Sequence, residues 1–326
     1  MSRIAIIGAG AWGTALAVQA ARAGNRAAPL QVTLWAREPA RAREIAARRE
    51  NPRLPGVALG GEITVTADLA AIAADFFLLA VPVQHLRAVA RDLPPGAAVI
   101  CAKGIEAGSL LMPSEMLAEL APERPLAVLT GPNFAAEIAS GLPAAAVVAA
   151  RDAGLRLRIM ESLASDNFRL YGNDDPIGAE LGGAAKNVIA IAAGAVIGAG
   201  LGENARAALI TRGLAEMARL AQALGGRAET MTGLSGLGDL VLTCTGPMSR
   251  NFSLGLALGR GEALPAILAR QRGVAEGVAT APALVARAAK AGCEVPICAA
   301  VATVLAGDAS LRAAMTTLLA RPPRDE

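Results

Sequence analysis

Three stretches of this sequence hold residues whose types and spacing can do chemistry. The first is Gly8-Ala9-Gly10-Ala11-Trp12-Gly13, which follows a short apolar run and opens a helical stretch. In a loop of this kind the first glycine permits a tight turn, the second lets backbone approach a pyrophosphate, and the third lets helix and strand pack closely. The N–H groups at the helix start then hold the anion, so the chemistry is dinucleotide binding. The second stretch is Lys186 within Leu181-Gly182-Gly183-Ala184-Ala185-Lys186-Asn187-Val188-Ile189-Ala190. Inside an apolar helix desolvation penalises the charged form of a lysine, which suits it to pass a proton in alcohol–ketone interconversion. The two glycines allow another backbone or a ligand to come close. A lysine reaching out to the surface is the structural alternative. The third stretch runs from Gly233 through Asp239, flanked by apolar residues, to Ser249-Arg250-Asn251. Hydroxyl, guanidinium and amide at the start of a helical run, Phe252 to Leu258, make a phosphate cradle. Ser249 or Asn251 can equally serve as a plain N-cap.

These groups need a scaffold, and the hydrophobic pattern supplies one. Apolar runs at Arg3–Ile7, Gln31–Trp35, Asp75–Val81, Ala97–Ala102 and Leu126–Thr130 read as buried strands, with weaker candidates at Ala144–Ala149 and Phe168–Tyr171. Helical segments lie between most of them, the first from Thr14 to Arg22 with Gly24 as its expected C-cap. Strands alternating with helices predict an α/β doubly wound, mostly parallel sheet covered on both faces. Ligands collect at the carboxyl ends of such strands, which here carry Gly8 to Gly13, Ala36-Arg37, Pro82, Lys103 and Gly131-Pro132-Asn133. From Ile177 the strand signals fade, and helices are expected over Gly183–Ala199, Ala205–Leu224 and Ala281–Ala291, with Gly233 to Gly238 unsuited to a helix. The polar turn Asn173-Asp174-Asp175-Pro176 marks a boundary, giving domains 1–174 and 175–326. The tail from Arg321 is expected to fray.

Composition excludes several classes. A net charge of +3 with 18% charged residues, and no basic block with interleaved aromatics, speaks against a nucleic-acid binder. The four cysteines (Cys101, Cys244, Cys293, Cys298) form no CxxC pair and His85 is the only histidine, so no metal site is expected. Buried, reduced thiols fit a cytoplasmic protein. Arg3 ahead of an apolar run mimics a signal peptide, but the ordered glycines and the lack of a leucine-rich centre argue against one. The uncharged stretch Asn187 to Gly202 falls short of the ~20 residues that span a bilayer and reads as a buried helix, so no membrane insertion is expected. The end of the second strand reads Trp35-Ala36-Arg37-Glu38. A guanidinium there pairs with a 2′-phosphate and favours NADP, whereas the adjacent Glu38 would favour NAD.

Over essentially its whole length the chain resembles the bacterial NAD(P)-dependent glycerol-3-phosphate dehydrogenases. The resemblance rests on GAGAWGTALA, AKGIE around Lys103, GPNFAAEIASGLP from Gly131, LGGAAKNVIAIAAG around Lys186, NARAALITRGLAEM from Asn204, GLSGLGDLVLTCT from Gly233, and SRN at Ser249. It implies a Rossmann-type first domain and an all-α second domain of the 6-phosphogluconate dehydrogenase C-terminal kind. It also implies interconversion of dihydroxyacetone phosphate and sn-glycerol 3-phosphate, supplying glycerol phosphate for phospholipids. Lys186 matches the family's catalytic lysine, and Lys103 the lysine that contacts substrate and cofactor. Gly131, Asn133, Asp239, Ser249, Arg250 and Asn251 match substrate positions, Arg250 also touching cofactor. Ala11, Trp12, Arg37, Ala135, Val274 and Glu276 match cofactor positions beside Gly8, Gly10 and Gly13. The family usually carries serine or threonine where this chain has Asn133, and serine where it has Ala11. The segment Asn25 to Leu30 is longer than usual.

On this reading Lys186 takes the C2 hydroxyl proton, Ser249-Arg250-Asn251 hold the phosphate, and Lys103 and Asp239 orient the diol end. His85 has no role in it, although other dehydrogenase families use a histidine base. Two rivals differ in class or substrate: a two-domain dehydrogenase of hydroxy or sugar acids, and a nucleotide-sensing regulator without turnover. The apolar helices of the second half are compatible with a homodimer or with packing inside one subunit.

Overall fold

A computed structural model describes residues 3–27, 30–270 and 273–320. The expected lengthening at Asn25 to Leu30 falls largely outside the described residues or side chains, and the tail from Arg321 lies wholly outside them. The chain forms two units, Met1–Lys103 with Leu111–Glu180, and Gly104–Leu110 with Leu181–Glu326.

The first unit runs β1 (Arg3–Ile7), α1 (Ala11–Ala27), β2 (Gln31–Trp35), α2 (Pro39–Arg48), β3 (Glu50–Asn51), β4 (Leu54–Ala58), β5 (Ile63–Thr66), β6 (Phe76–Leu79), α3 (Val83–Ala90), β7 (Ala97–Ile100), α4 (Pro113–Leu120), β8 (Leu126–Thr130), α5 (Ala135–Ser140), β9 (Ala144–Ala149), α6 (Ala153–Leu163) and β10 (Phe168–Asn173). Eight strands form one sheet in the order β10-β9-β8-β7-β6-β1-β2-β5. Every neighbouring pair is parallel except β8 and β9. The doubly wound, mostly parallel sheet expected from the sequence is therefore present. Its central strands β6 and β7 are buried at every position, which is why they read as unbroken apolar runs rather than alternating ones. A small antiparallel hairpin, β3 with β4, stands apart from the sheet.

Two expectations about local structure need correction. The first helix does not stop near Gly24 but continues to Ala27. Gly24 lies inside it, and the position takes glycine because a Cβ there would crowd the Cβ of Leu30 at 2.5 Å. Within Gly233–Gly238, expected to be unsuited to a helix, Leu234–Gly238 forms one helical turn, though not an α-helical one. A 3-10 turn at Glu229–Thr232 leads into a π-helical turn at Leu234–Gly238, closed by the N–H of Gly238 on the Gly233 carbonyl at 3.1 Å. The wide turn is possible because Gly236 has no Cβ to overlap the backbone of Met231.

The second unit is helical: most of α7 (Pro176–Gly198), then α8 (Gly202–Ala223), α9 (Asp239–Cys244), α10 (Arg250–Gly259), α11 (Leu264–Arg270), α12 (Glu276–Lys290), α13 (Pro296–Ala306) and α14 (Leu311–Leu319). Among the described residues α7 alone is long and apolar enough to cross a membrane, yet 83% of its most apolar window is buried within the protein. The buried carboxylate of Glu216 in α8 accepts from the N–H groups of Ile297 (2.7 Å) and Cys298 (3.3 Å), satisfying orphan donors at the start of α13.

Helices α7 and α10 meet along a seam of backbone on backbone. A Cβ on Gly255 would overlap the carbonyl of Ile191, one on Gly259 that of Ala195, one on Gly194 that of Phe252, and one on Gly198 that of Leu256. Both helices thus place glycine at four-residue spacing on the facing side, the spacing that returns to one helical face.

Candidate active site

The glycine loop is built as a phosphate turn requires. Gly8 holds φ +119°, in the region that disfavours side chains, and a Cβ there would sit 2.9 Å from the Ala80 carbonyl oxygen. A Cβ on Gly13 would overlap the Gly8 carbonyl, so the helix can start against the strand only with glycine here. Gly10 faces open space. The N–H groups of Ala11, Trp12 and Gly13 belong to the first turn of α1, where helices leave donors for an anion. The residues present thus fit a dinucleotide. Thr14 donates to the Gly10 carbonyl (2.8 Å) and accepts from Asn51 Nδ2 (2.7 Å), and the same amide donates to the Ala9 carbonyl (3.1 Å). The β3–β4 hairpin is pinned to the loop in this way. Asn51 is fully buried, and nothing in its sequence context marked it as part of the site.

Arg37 lies two residues past the end of β2 and is two-thirds exposed, 4.0 Å from Glu38. Lys103 follows β7, and its ammonium donates to the Gly131 carbonyl just beyond neighbouring β8 at 3.3 Å. Because β9 runs antiparallel to β8, its start lies beside the same strand end. Asn133 donates there to the Ala145 carbonyl at 3.1 Å, while its Oδ1 is buried without a partner. The Thr130 hydroxyl oxygen is likewise buried and unpartnered. Ala135 opens α5. His85 sits exposed in the first turn of α3.

In the second unit Lys186 is 7% exposed and Asp239 fully buried. The ammonium donates to Asp239 Oδ1 at 2.5 Å and to the Thr243 hydroxyl at 2.9 Å. Thr243 in turn donates to the Asp239 carbonyl at 2.6 Å. Asp239 and Thr243, four residues apart on α9, therefore present one polar face to Lys186. The lysine does not reach out to solvent. Gly182 makes this approach possible, since a Cβ there would overlap the Ser235 carbonyl of the π-helical turn. Of the two partners expected for a glycine at this position, backbone or ligand, it is backbone that comes close. Beside the pair, burial pushes the Cys244 thiol up to about 12, so it stays protonated.

One buried junction ties the remaining residues together. Asn251 Nδ2 donates to Asn187 Oδ1 at 2.9 Å, and Asn251 Oδ1 accepts from the Gly277 N–H at 3.0 Å. Each member of this junction directly follows a candidate site residue: Lys186, Arg250 and Glu276. Arg250 packs over Gly273, where a Cβ would lie 2.7 Å from its Nη1, in the segment leading to the half-exposed Val274. Ser249 does cap α10, its hydroxyl accepting from the Phe252 N–H at 3.2 Å, and its own proton remains for another acceptor. Sequence reasoning passed over Thr243 and Asn187. The four-residue step from Asp239 was the available signal for Thr243. Asn187 offered only its place beside Lys186.

Residues 3–155 match the model of the NAD-dependent glycerol-3-phosphate dehydrogenase N-terminus, and residues 175–316 that of its C-terminus. The chain is 57% identical over 324 residues to a glycerol-3-phosphate dehydrogenase (NAD(P)+) of Acidiphilium cryptum, covering 99% of this chain and 98% of that one. It is 54% identical over 334 residues to that of Rhodospirillum rubrum, covering 100% of this chain and 94% of that one. A crystal structure of glycerol-3-phosphate dehydrogenase from Coxiella burnetii superposes with a TM-score of 0.92 at 38% identity, over 98% of this chain and 99% of that one. With both halves matched and relatives this similar end to end, the chain belongs to the NAD-dependent glycerol-3-phosphate dehydrogenase family of oxidoreductases.

Proposed function

We propose that this chain interconverts dihydroxyacetone phosphate and sn-glycerol 3-phosphate, with Lys186 as the general acid and base. The observation that carries this reading is the buried Lys186 ammonium, held by Asp239 at 2.5 Å and Thr243 at 2.9 Å. A bound nicotinamide dinucleotide supplies the hydride couple. In reduction Lys186 donates a proton from Nζ to the C2 oxygen as the ketone becomes an alcohol, and in oxidation it takes that proton back. Asp239 and Thr243 fix the direction of the ammonium. Ser249, Arg250 and Asn251 hold the substrate phosphate by charge-assisted bonds at the start of α10. Lys103, Gly131 and Asn133 are the substrate contacts we assign to the first unit. Asn133 has committed its amide to Ala145, which leaves its unpartnered Oδ1 as the atom for a substrate hydroxyl.

Gly8 to Gly13, Ala11, Trp12, Arg37 and Ala135 are the cofactor positions we assign to residues 1–174, and Arg250, Val274 and Glu276 those within 175–326. NAD or NADP serves, with Arg37 favouring NADP. The product then supplies the glycerol phosphate backbone of phospholipids in the cytoplasm. The test is oxidation of NADPH and NADH by dihydroxyacetone phosphate, compared with a panel of 2-keto acids, for the parent chain and Lys186→Ala. General acid–base catalysis is worth about 10²–10⁴-fold, so the variant should lose at least that much kcat with cofactor affinity retained. A variant that keeps most of its activity, or a parent chain that prefers the acids, refutes the reading.

A further inference from the structure

Six arginines fall between residues 37 and 53, and four have evident positions. Arg49 donates to the carbonyls of Leu59 (3.2 Å), Ile63 (3.0 Å) and Gly60. Arg48 pairs with Glu44 at 3.0 Å, and Arg37 lies 4.0 Å from Glu38. Arg43 is exposed on α2, two residues from Arg41 and so on another side of the helix. Arg41 and Arg53 differ from these. Among the described residues neither guanidinium has an ion pair within 4 Å or a hydrogen bond, and Arg41 Nε is buried without an acceptor.

Both stand beside the dinucleotide loop. Arg41 is in the first turn of α2, four residues past Arg37 and six past the end of β2. Arg53 sits at the tip of the β3–β4 hairpin, its N–H bonded to Asn51 Oδ1 at 3.0 Å. The other end of that same amide holds the Ala9 carbonyl and Thr14, so the arginine is two residues from a side chain that touches the glycine loop. The two guanidiniums lie near enough to repel. Burial first, and then Arg53, hold Arg41 below the usual arginine range, opposed only by the more distant pull of Glu38 and Glu44. Those carboxylates have Arg37 and Arg48 as nearer partners. Like charges gathered beside a pyrophosphate loop, at the strand end where the adenine ribose binds in such folds, are relieved by a dianion.

We propose that Arg41 and Arg53 complete, with Arg37, a clamp for the 2′-phosphate of NADP, and that they set selectivity for NADP over NAD. The clamp rests on the NADP preference proposed above and names the residues that produce it. Arg53 is exposed at the hairpin tip, so it meets the phosphate from the hairpin, while Arg41 and Arg37 meet it from α2 and the end of β2.

Calorimetric titration of the whole chain with adenosine 2′,5′-bisphosphate and with adenosine 5′-monophosphate tests this without turnover. The parent chain should bind the bisphosphate more tightly, and Arg41→Ala and Arg53→Ala should each cut that margin about tenfold, as expected for one charge-assisted contact. Arg53→Lys, a point charge without the fork, should keep part of it. The NADPH-to-NADH ratio of kcat/KM should fall in step, whereas a merely structural role would lower both rates and leave the ratio unmoved. Because Arg41 is partly buried, Arg53→Ala decides the matter if Arg41→Ala does not fold. A parent margin that survives both substitutions overturns the clamp and leaves the NADP preference standing. No parent margin at all overturns the preference and the clamp together.

Discussion

Replacing Asp239 with leucine would leave the Lys186 ammonium nearly buried without its counter-charge. The lysine is 7% exposed and the aspartate 0%, and the pair is 2.5 Å apart. Removing one member of such a pair costs about 3–5 kcal/mol, because the other charge is stranded. Asp239→Leu and Lys186→Met should therefore each destabilise the protein by that order. At roughly 2–4 °C per kcal/mol for a domain of this size, the melting temperature should drop by about 6–20 °C. The double substitution should behave differently. Apolar residues in place of both charges are often neutral or stabilising by about 1–4 kcal/mol. Thr243 would lose the lysine as a donor, but its own proton still has the Asp239 backbone carbonyl at 2.6 Å. The double variant should unfold close to the parent chain in urea, followed by helical circular dichroism, and should have no activity. Stability and catalysis would then separate at one pair of residues. A double variant as unstable as the sum of its parts, or single variants within about 1 kcal/mol of the parent, would refute the reasoning.

Two other perturbations test different parts of the molecule. Gly255→Ala gains helix propensity of about 1 kcal/mol but drives a methyl into the Ile191 carbonyl, so α10 must move and the proposed phosphate cradle at its start with it. Thermal melts should show a net loss, and KM for dihydroxyacetone phosphate should rise several-fold; an unchanged KM would separate the seam from the cradle. Glu180 is buried, accepts from the Ser114 N–H at 2.9 Å and from its hydroxyl, and burial pushes its carboxyl up to about 7. Its folded value exceeds the ordinary 4.5, so the folded state holds the proton between about pH 4.5 and 7 while the unfolded chain has lost it. Stability from this group is full below that window and falls as pH rises through it. Glu180→Gln should accordingly gain on the parent chain across the window, by up to about 3 kcal/mol at about 1.36 kcal/mol per pH unit of displacement. A flat difference between the two chains over that range would count against it.

What the sequence disclosed depended on whether a group's partner lies nearby in the chain. Strands such as Phe76–Leu79 were legible because burial on both faces leaves an unbroken apolar run. The glycine loop was legible because its φ and its contacts are local demands. The β3–β4 hairpin was not, since its strands are short, half exposed and interrupted by Pro55 and Gly56. β5 escaped for a similar reason: only Ile63 in it is fully buried. Lys186 stood out because a charge in an apolar helix demands a reason. Thr243 did not, because a hydroxyl can bond its own helix and needs no explanation in such a place. Asn187, Asn251 and Gly277 meet from three helices, and no local pattern announces such a meeting.

The seam between α7 and α10 gives the distance from Lys186 to Arg250 an unusual origin. In most helix pairs a layer of side chains lies between the backbones, and rotamer changes there absorb small errors. Here glycines at 194, 198, 255 and 259 remove that layer, and main chain rests on main chain. There is no compliant filler, so a shift in one helix is passed to the other undiminished. The spacing between Lys186 and the start of α10, the proposed proton donor and phosphate cradle, is thereby set by the dimensions of the peptide backbone itself. A chain so poor in aromatics, at 2%, and so rich in small residues can hold its reactive groups stiffly because the stiffness does not come from bulk.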